Sequence, residues 1–248
     1  MVFLLAALLA ADDLPGRLKD EPSMSVPLYQ YEGGGFRFGV TLAGQARVSL
    51  PFGAADEGDI FVVGNTVFIE GHLDYSELFD PGYGFTLEAD LMARPRLDPE
   101  IDPRLQPAAM GGYVAFGWDR YGGDSTRDET GTRVSPDALE IGTVFVGIKG
   151  AGVVQGNFYG DLRFGMGAVH YPSLKARFEP GGRGELFAES WEFGMEIRMH
   201  FGWKFGPLGL VFGMGGRLLA PPDNGRQSNL DPGILWTIDF EVGAELGF

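Results

Sequence analysis

From Ile234 to Phe248 the chain alternates without a slip. Ile234, Trp236, Ile238, Phe240, Val242, Ala244, Leu246 and Phe248 hold the even positions. Leu235, Thr237, Asp239, Glu241, Gly243, Glu245 and Gly247 hold the odd ones. Successive side chains of a strand point to opposite faces, so this is one long strand with an oily side and a mostly acidic or small side. It needs an apolar medium on one face and a polar space on the other. Lipid outside a water-filled or ion-paired lumen supplies both.

The same period recurs along the chain. Phe36–Leu50, Phe61–Tyr75, Phe85–Leu97, Met110–Tyr121, Val154–Tyr171, Phe187–Phe205 and Leu208–Leu219 all alternate. Leu139–Gly150 is apolar on both faces and is the weakest strand of the set. In Phe187–Phe205 the oily face reads Trp191, Phe193, Met195, Ile197, Met199, Phe201, Trp203, opposite Ser190, Glu192, Glu196, Arg198, His200 and Lys204. Twelve residues separate the two tryptophans. At roughly 3.3 Å per residue and a tilt of about 40°, they stand about 30 Å apart along a membrane normal, close to the hydrocarbon thickness. With Trp118 and Trp236 they form a candidate aromatic girdle. Lys204–Pro207 and Gly150–Val153 read as tight turns. Gly122–Pro136, Pro172–Glu185 and Ala220–Gly233 read as long polar loops, and long and short alternate as in outer-membrane barrels.

Composition removes several other classes. The chain has 248 residues, no Cys and 40 Gly without a three-residue period, which excludes a disulfide scaffold and collagen. A net charge of −15 argues against a nucleic-acid partner. Met1–Ala11 is an apolar run too short for a transmembrane helix and suited to a signal-peptide core, although no Lys or Arg precedes it. Residues 12–35 read as a periplasmic lead-in in which Ser25–Tyr31 could form a short first strand, and residues 36–248 as the barrel domain. The fold expected is all-β, a closed antiparallel up-and-down transmembrane barrel of eight to ten strands. Ten is slightly preferred because nine runs and an even strand number must be reconciled. Eight follows if the run around Leu139 or Phe61 does not span.

On the terminal run, the Trp191–Trp203 band and the leader-like start, the chain resembles small Gram-negative outer-membrane barrels of the OmpA-like, OmpW-like and opacity-protein type. The resemblance is architectural and carries no subfamily motif. It implies a place in the bacterial outer membrane, contact with lipid and lipopolysaccharide, and a C-terminal signal (Phe240, Val242, Leu246, Phe248) read by the barrel-assembly machinery. It leaves the oligomeric state open.

The inward faces hold Arg37, Arg47, Glu70, His72, Asp74, Glu88, Asp90, Arg94, Arg96, Asp119, Asp161, Arg163, Glu192, Glu196, Arg198, His200, Lys204, Arg217, Asp239, Glu241 and Glu245. Buried charges must be paired, and a narrow barrel is just wide enough for side chains to fill it. A packed, ion-paired lumen with a structural or surface-exposed role is therefore the leading expectation, ahead of a passive small-solute pore. An outer-leaflet hydrolase, omptin-like or lipid-modifying, would draw on His72 with Asp74 and Glu88, a general-base arrangement. So acidic a strand pair puts a carboxylate near a His by chance, so no catalytic residue is assigned, and no metal or cofactor is expected. A secreted soluble β-sandwich or lipocalin-like binder, with the oily face turned inward, is the remaining alternative.

Overall fold

A computed structural model describes residues 36–62, 65–95, 109–155, 157–225 and 228–247. The leader-like Met1–Ala11, the lead-in with Ser25–Tyr31, Arg96 and the terminal Phe248 lie outside the described residues. Eight long strands close into a barrel: β1 (Phe36–Phe52), β4 (Gly82–Pro95), β5 (Ala109–Tyr121), β8 (Leu139–Gln155), β9 (Phe158–Tyr171), β12 (Ser190–Phe205), β13 (Leu208–Leu219) and β15 (Leu235–Gly247). Each pairs antiparallel with its sequence neighbours, and β15 returns to β1 over Thr41–Phe52.

Closure fixes the tilt. A row of paired residues runs from Gly142 through Trp118, Phe85, Ala46, Val242, Phe212, Phe201 and Gly160, and comes back to β8 at Gly152. The stagger is ten residues, from 142 to 152. With eight strands it implies a tilt of about 40° and an interior filled by side chains.

Outward positions are the oily ones. Phe38, Phe116, Ile148, Trp191, Phe193, Ile197, Phe212 and Phe240 are all exposed, whereas Arg47, Asp119, Arg163, Arg198, Arg217 and Asp239 are buried at 3% or less. This is a soluble domain turned inside out, so the inward-oily alternative fails. Along β12 the apolar face is exposed from Trp191 to Trp203 except at half-buried Met195.

Among the described residues eight strands span, the lower end of the expected range. The Phe61–Tyr75 run is no stave: it falls within a hairpin, β2 (Ala54–Val62) with β3 (Asn65–Asp74), followed by one helical turn, α1 (Tyr75–Leu78). The Leu139 run does span. The turn expected at Gly150–Val153 lies inside β8, which continues to Gln155. At β12–β13 the two-residue turn is where expected: Gly206, at φ 67°, takes the left-handed conformation that a tight hairpin needs at its first position.

Four connections leave the opposite end, and they carry a cap. β14 (Asp231–Pro232), β2 and β3 form one sheet in that order. β11 (Gly182–Phe187), β10 (Leu174–Glu179), β7 (Arg133–Pro136) and β6 (Thr126–Arg127) form the other. The first sheet prolongs β15, β1 and β4; the second prolongs β12, β9, β8 and β5. Their facing sides share one apolar core with Ile60, Val67, Phe178, Leu186 and α1. A Cβ added to Gly184 would lie 3.0 Å from Ile60 Cγ2, so the sheets meet backbone against side chain. Tyr75, buried here, donates to the Gly233 carbonyl at 3.1 Å, and burial pushes its hydroxyl pKa up, holding it as a donor.

Candidate functional site: the charged lumen

Alternation delivers every second residue of each stave to the axis, and the stagger sets which of them meet. Near the cap, Arg217 forks onto Asp239 (Nε–Oδ2 2.7 Å, Nη2–Oδ1 3.0 Å) and reaches Asp119 Oδ2 at 2.6 Å. Arg47 grips the same Asp119 from the other side, at 2.9 and 2.7 Å, and lies 3.4 Å from Glu241. Ser49 accepts from Arg217 Nη2 and Thr86 from Arg47 Nη1, each at 3.0 Å, and Thr237 shares the Arg217 Nε–H with Asp239 at 3.2 Å.

At mid-barrel Arg198 Nη2 donates to Glu88 and Glu196, each at 2.9 Å, and its Nη1 donates to Gln45 at 3.2 Å. Tyr113 donates to Glu196 at 2.7 Å and lays its ring 5.5 Å from the Arg198 guanidinium carbon. Arg163 forks onto Asp161 at 2.7 and 3.0 Å and also bonds Glu88. His200 Nε2 lies 2.7 Å from Glu241, and its Nδ1 lies 3.4 Å from Asp161. Lower still, Lys149 donates to Asp90 at 2.5 Å and sits 3.8 Å from Glu88 and Asp161. Lys204 pairs with Glu245 at 3.5 Å.

The shared acids make this one network. Asp119 joins Arg217 to Arg47, Glu241 joins Arg47 to Arg198 and His200, Glu88 joins Arg198 to Arg163, and Asp161 joins Arg163 to Lys149. Every one of the eight staves supplies a member. Above the network the inward residues turn apolar: Tyr121, Leu139, Ile141, Val169, Tyr171 and Leu219 join the cap core. The barrel interior thus holds two successive layers, one of ion pairs and one of hydrocarbon.

Arg47, Glu88, Asp90, Asp161, Arg163, Glu196, Arg198, His200, Arg217, Asp239 and Glu241 meet in this network, with Asp119. Others do not. Glu70, His72 and Asp74 are exposed on β3 of the cap, because β3 pairs with β2 and not with the barrel. His72 lies in register with Asp56, while Glu88 is held inside by Arg198 and Arg163, so the His72–Asp74–Glu88 grouping does not form. Arg37 and Arg94 face each other in register, exposed at the end away from the cap, and Glu192 is half-buried at the cap end. Trp118, Trp191 and Trp236 lie toward the cap and Trp203 toward the far end. Trp236 stacks on Phe52 at 4.4 Å, and Trp191 meets His170 at a tilt, ring centroids 4.7 Å apart. Phe240, Val242 and Leu246 face outward on β15. Lys149 escaped the sequence reading, although it shares parity with Ile141 and Thr143 on β8.

Glycines make room for the network at several points, and Gly213 is the tightest of them. A Cβ on Gly213 of β13 would fall 1.9 Å from His200 Cδ2. Gly213→Val is expected to push His200 off Glu241 and lower stability by about 1–3 kcal/mol, the usual cost of overpacking. Urea midpoints of folded barrel against wild type measure it, and an unchanged midpoint rejects the contact.

Apolar staves around a charge-paired axis define the class: a transmembrane β-barrel protein. No family model and no curated protein matches the chain. Among solved structures it is similar to Ail, the attachment invasion locus protein of Yersinia pestis (12% identity, 86% of this chain and 99% of that one, TM-score 0.38). It is also similar to neisserial surface protein A, NspA (10%, 86% and 99%, TM-score 0.36), and to the outer membrane protease OmpT of Escherichia coli (9%, 85% and 96%, TM-score 0.36).

Proposed function

We propose that the protein is a surface-exposed barrel of the bacterial outer membrane with a plugged, non-conducting lumen, whose cap is the part offered to the outside. One observation carries this reading: the ion-pair network that takes a member from every stave. A pore needs a continuous water path, and here each acid is already held by a base. In this reading lipid and lipopolysaccharide cover the apolar belt, and the outward residues Phe240, Val242 and Leu246 of the last strand serve as the assembly signal.

Planar-bilayer recording tests the reading. Purified protein is expected to give no single-channel steps in 1 M KCl, and stable steps from wild type would overturn it. The hydrolase alternative loses its support, because His72 and Glu88 belong to different parts of the molecule.

A further inference from the structure

The cap is electrostatically two-faced. Because its sheets pack face to face, their outer sides point in opposite directions. The outer side of β14–β2–β3 carries exposed Asp56, Asp59, Glu70, Asp74 and Asp231, and those strands contain no Lys or Arg. The outer side of β11–β10–β7–β6 carries exposed Arg127, Arg133, Lys175, Arg177 and Arg183. In a chain of net charge −15, so basic a sheet is out of proportion.

Both sides also place like charges directly across from each other. Arg177 faces Arg183, Arg127 faces Arg133, and Asp56 faces Asp231. Directly opposed like charges destabilise a sheet. On the basic side Lys175 faces Glu185, and Arg133 also faces Glu179, so the repulsion there is offset only in part. Arg183 pairs with Asp137 and Arg177 with Glu179 at 3.4 Å, and all four side chains are at least half exposed, where ion pairs contribute little. His72, in register with Asp56, is the titratable neighbour on the acidic side. Phe61 and Phe68 are exposed on that side too, at 45% and 50%.

We propose that the acidic side of one cap docks on the basic side of the cap of a second copy, in the plane of the membrane. Three features favour a second copy. Both sides prolong barrel staves just above the apolar belt, so the bilayer holds every copy at one height and one orientation. The charges are complementary, and one contact relieves the repulsion on both sheets. Phe61 and Phe68 gain cover. Because the two sides lie on opposite walls, the contact is head-to-tail and does not close into a ring; copies line up in rows.

The inference rests on the membrane reading, which resistance of the reconstituted protein to carbonate extraction tests separately. Asn157→Cys, in the β8–β9 turn far from the cap, gives a unique thiol for donor and acceptor dyes, since the chain has no Cys. In phosphatidylcholine vesicles, energy transfer between labelled copies is expected to exceed the random-mixing level and to fall about fivefold in 0.5 M NaCl, as screened charges require. Arg177→Glu with Arg183→Glu abolishes the excess, as does Asp56→Lys with Asp59→Lys. Mixing the two double variants restores it. Heat-modifiable gel mobility verifies that each variant is folded. Random-level transfer by wild type, insensitivity to both double variants, or failure of folded variants to recover on mixing would overturn the proposal. So would an excess that appears only when lipopolysaccharide is added, which would assign the basic side to an anionic glycolipid.

Discussion

Arg198→Ala is expected to destabilise the barrel by about 3–5 kcal/mol, the cost of stripping one partner from a buried charge network. Arg198 is completely buried and lies between Glu88, Glu196 and Glu241, the last at 3.6 Å. Its removal leaves three carboxylates facing one another with Arg47, Lys149, Arg163 and His200 as their remaining basic neighbours. The loss exceeds that of a lipid-facing truncation such as Met199→Ala, where no charge is orphaned. Urea unfolding in detergent micelles, followed by heat-modifiable mobility, gives the midpoints. A loss below about 1 kcal/mol would mean that water reaches these carboxylates and the network is no plug. The large value does not imply that the network was retained for stability. Replacing such a set by apolar side chains of similar volume is often neutral or favourable, and what a buried network adds is the cost of every other arrangement.

Ile197→Arg is the second large effect. Ile197 lies midway between Trp191 and Trp203 and is 55% exposed on the outer wall. A cation there is expected to cost about 2–4 kcal/mol if that wall faces hydrocarbon at the bilayer midplane, and about 0–1 kcal/mol at an interface. Phe205→Arg, eight residues further along the same strand, supplies the interface control. Refolding into vesicles over a denaturant series reads both. Equal, small effects at the two positions would place water against the wall and end the membrane reading.

Most of the fold was legible because one period governs it. In β1, β4, β5, β9, β12, β13 and β15 the oily parity found by counting in twos is the exposed parity of the structure. The two ambiguous runs, around Phe61 and Leu139, share a cause. Alternation reports an apolar side and a polar side and is blind to what covers the apolar one. Val67, Ile69 and Leu73 have the pattern of a stave, yet they cover the cap core. Leu139, Ile141 and Phe145 blur the pattern of a true stave because their inward side meets that core and not the ion pairs.

The charged site divides in the same way. Which residues point inward follows from parity, and Arg47, Arg163, Arg198 and Asp239 were readable as lumen groups. Which acid meets which base depends on a ten-residue stagger summed over eight pairings, and no local stretch encodes that. His72 shows the result: sequence proximity to Asp74 suggested a partner set, but β3 leaves the barrel before the set could form.

The seam between β1 and β15 has a consequence for how the molecule is made. Every other stave pairs with a neighbour adjacent in the chain or one loop away, but β1 and β15 are separated by nearly the whole described sequence and meet over a twelve-residue register. Until the last stave arrives, β1 and β13 each present a row of bare amides and carbonyls, which hydrocarbon does not tolerate. A lipid-compatible cylinder therefore exists only once β15 has been made and has reached β1. Loss of Leu235–Gly247 would leave an unsealed sheet, so quality control could act on a single late event.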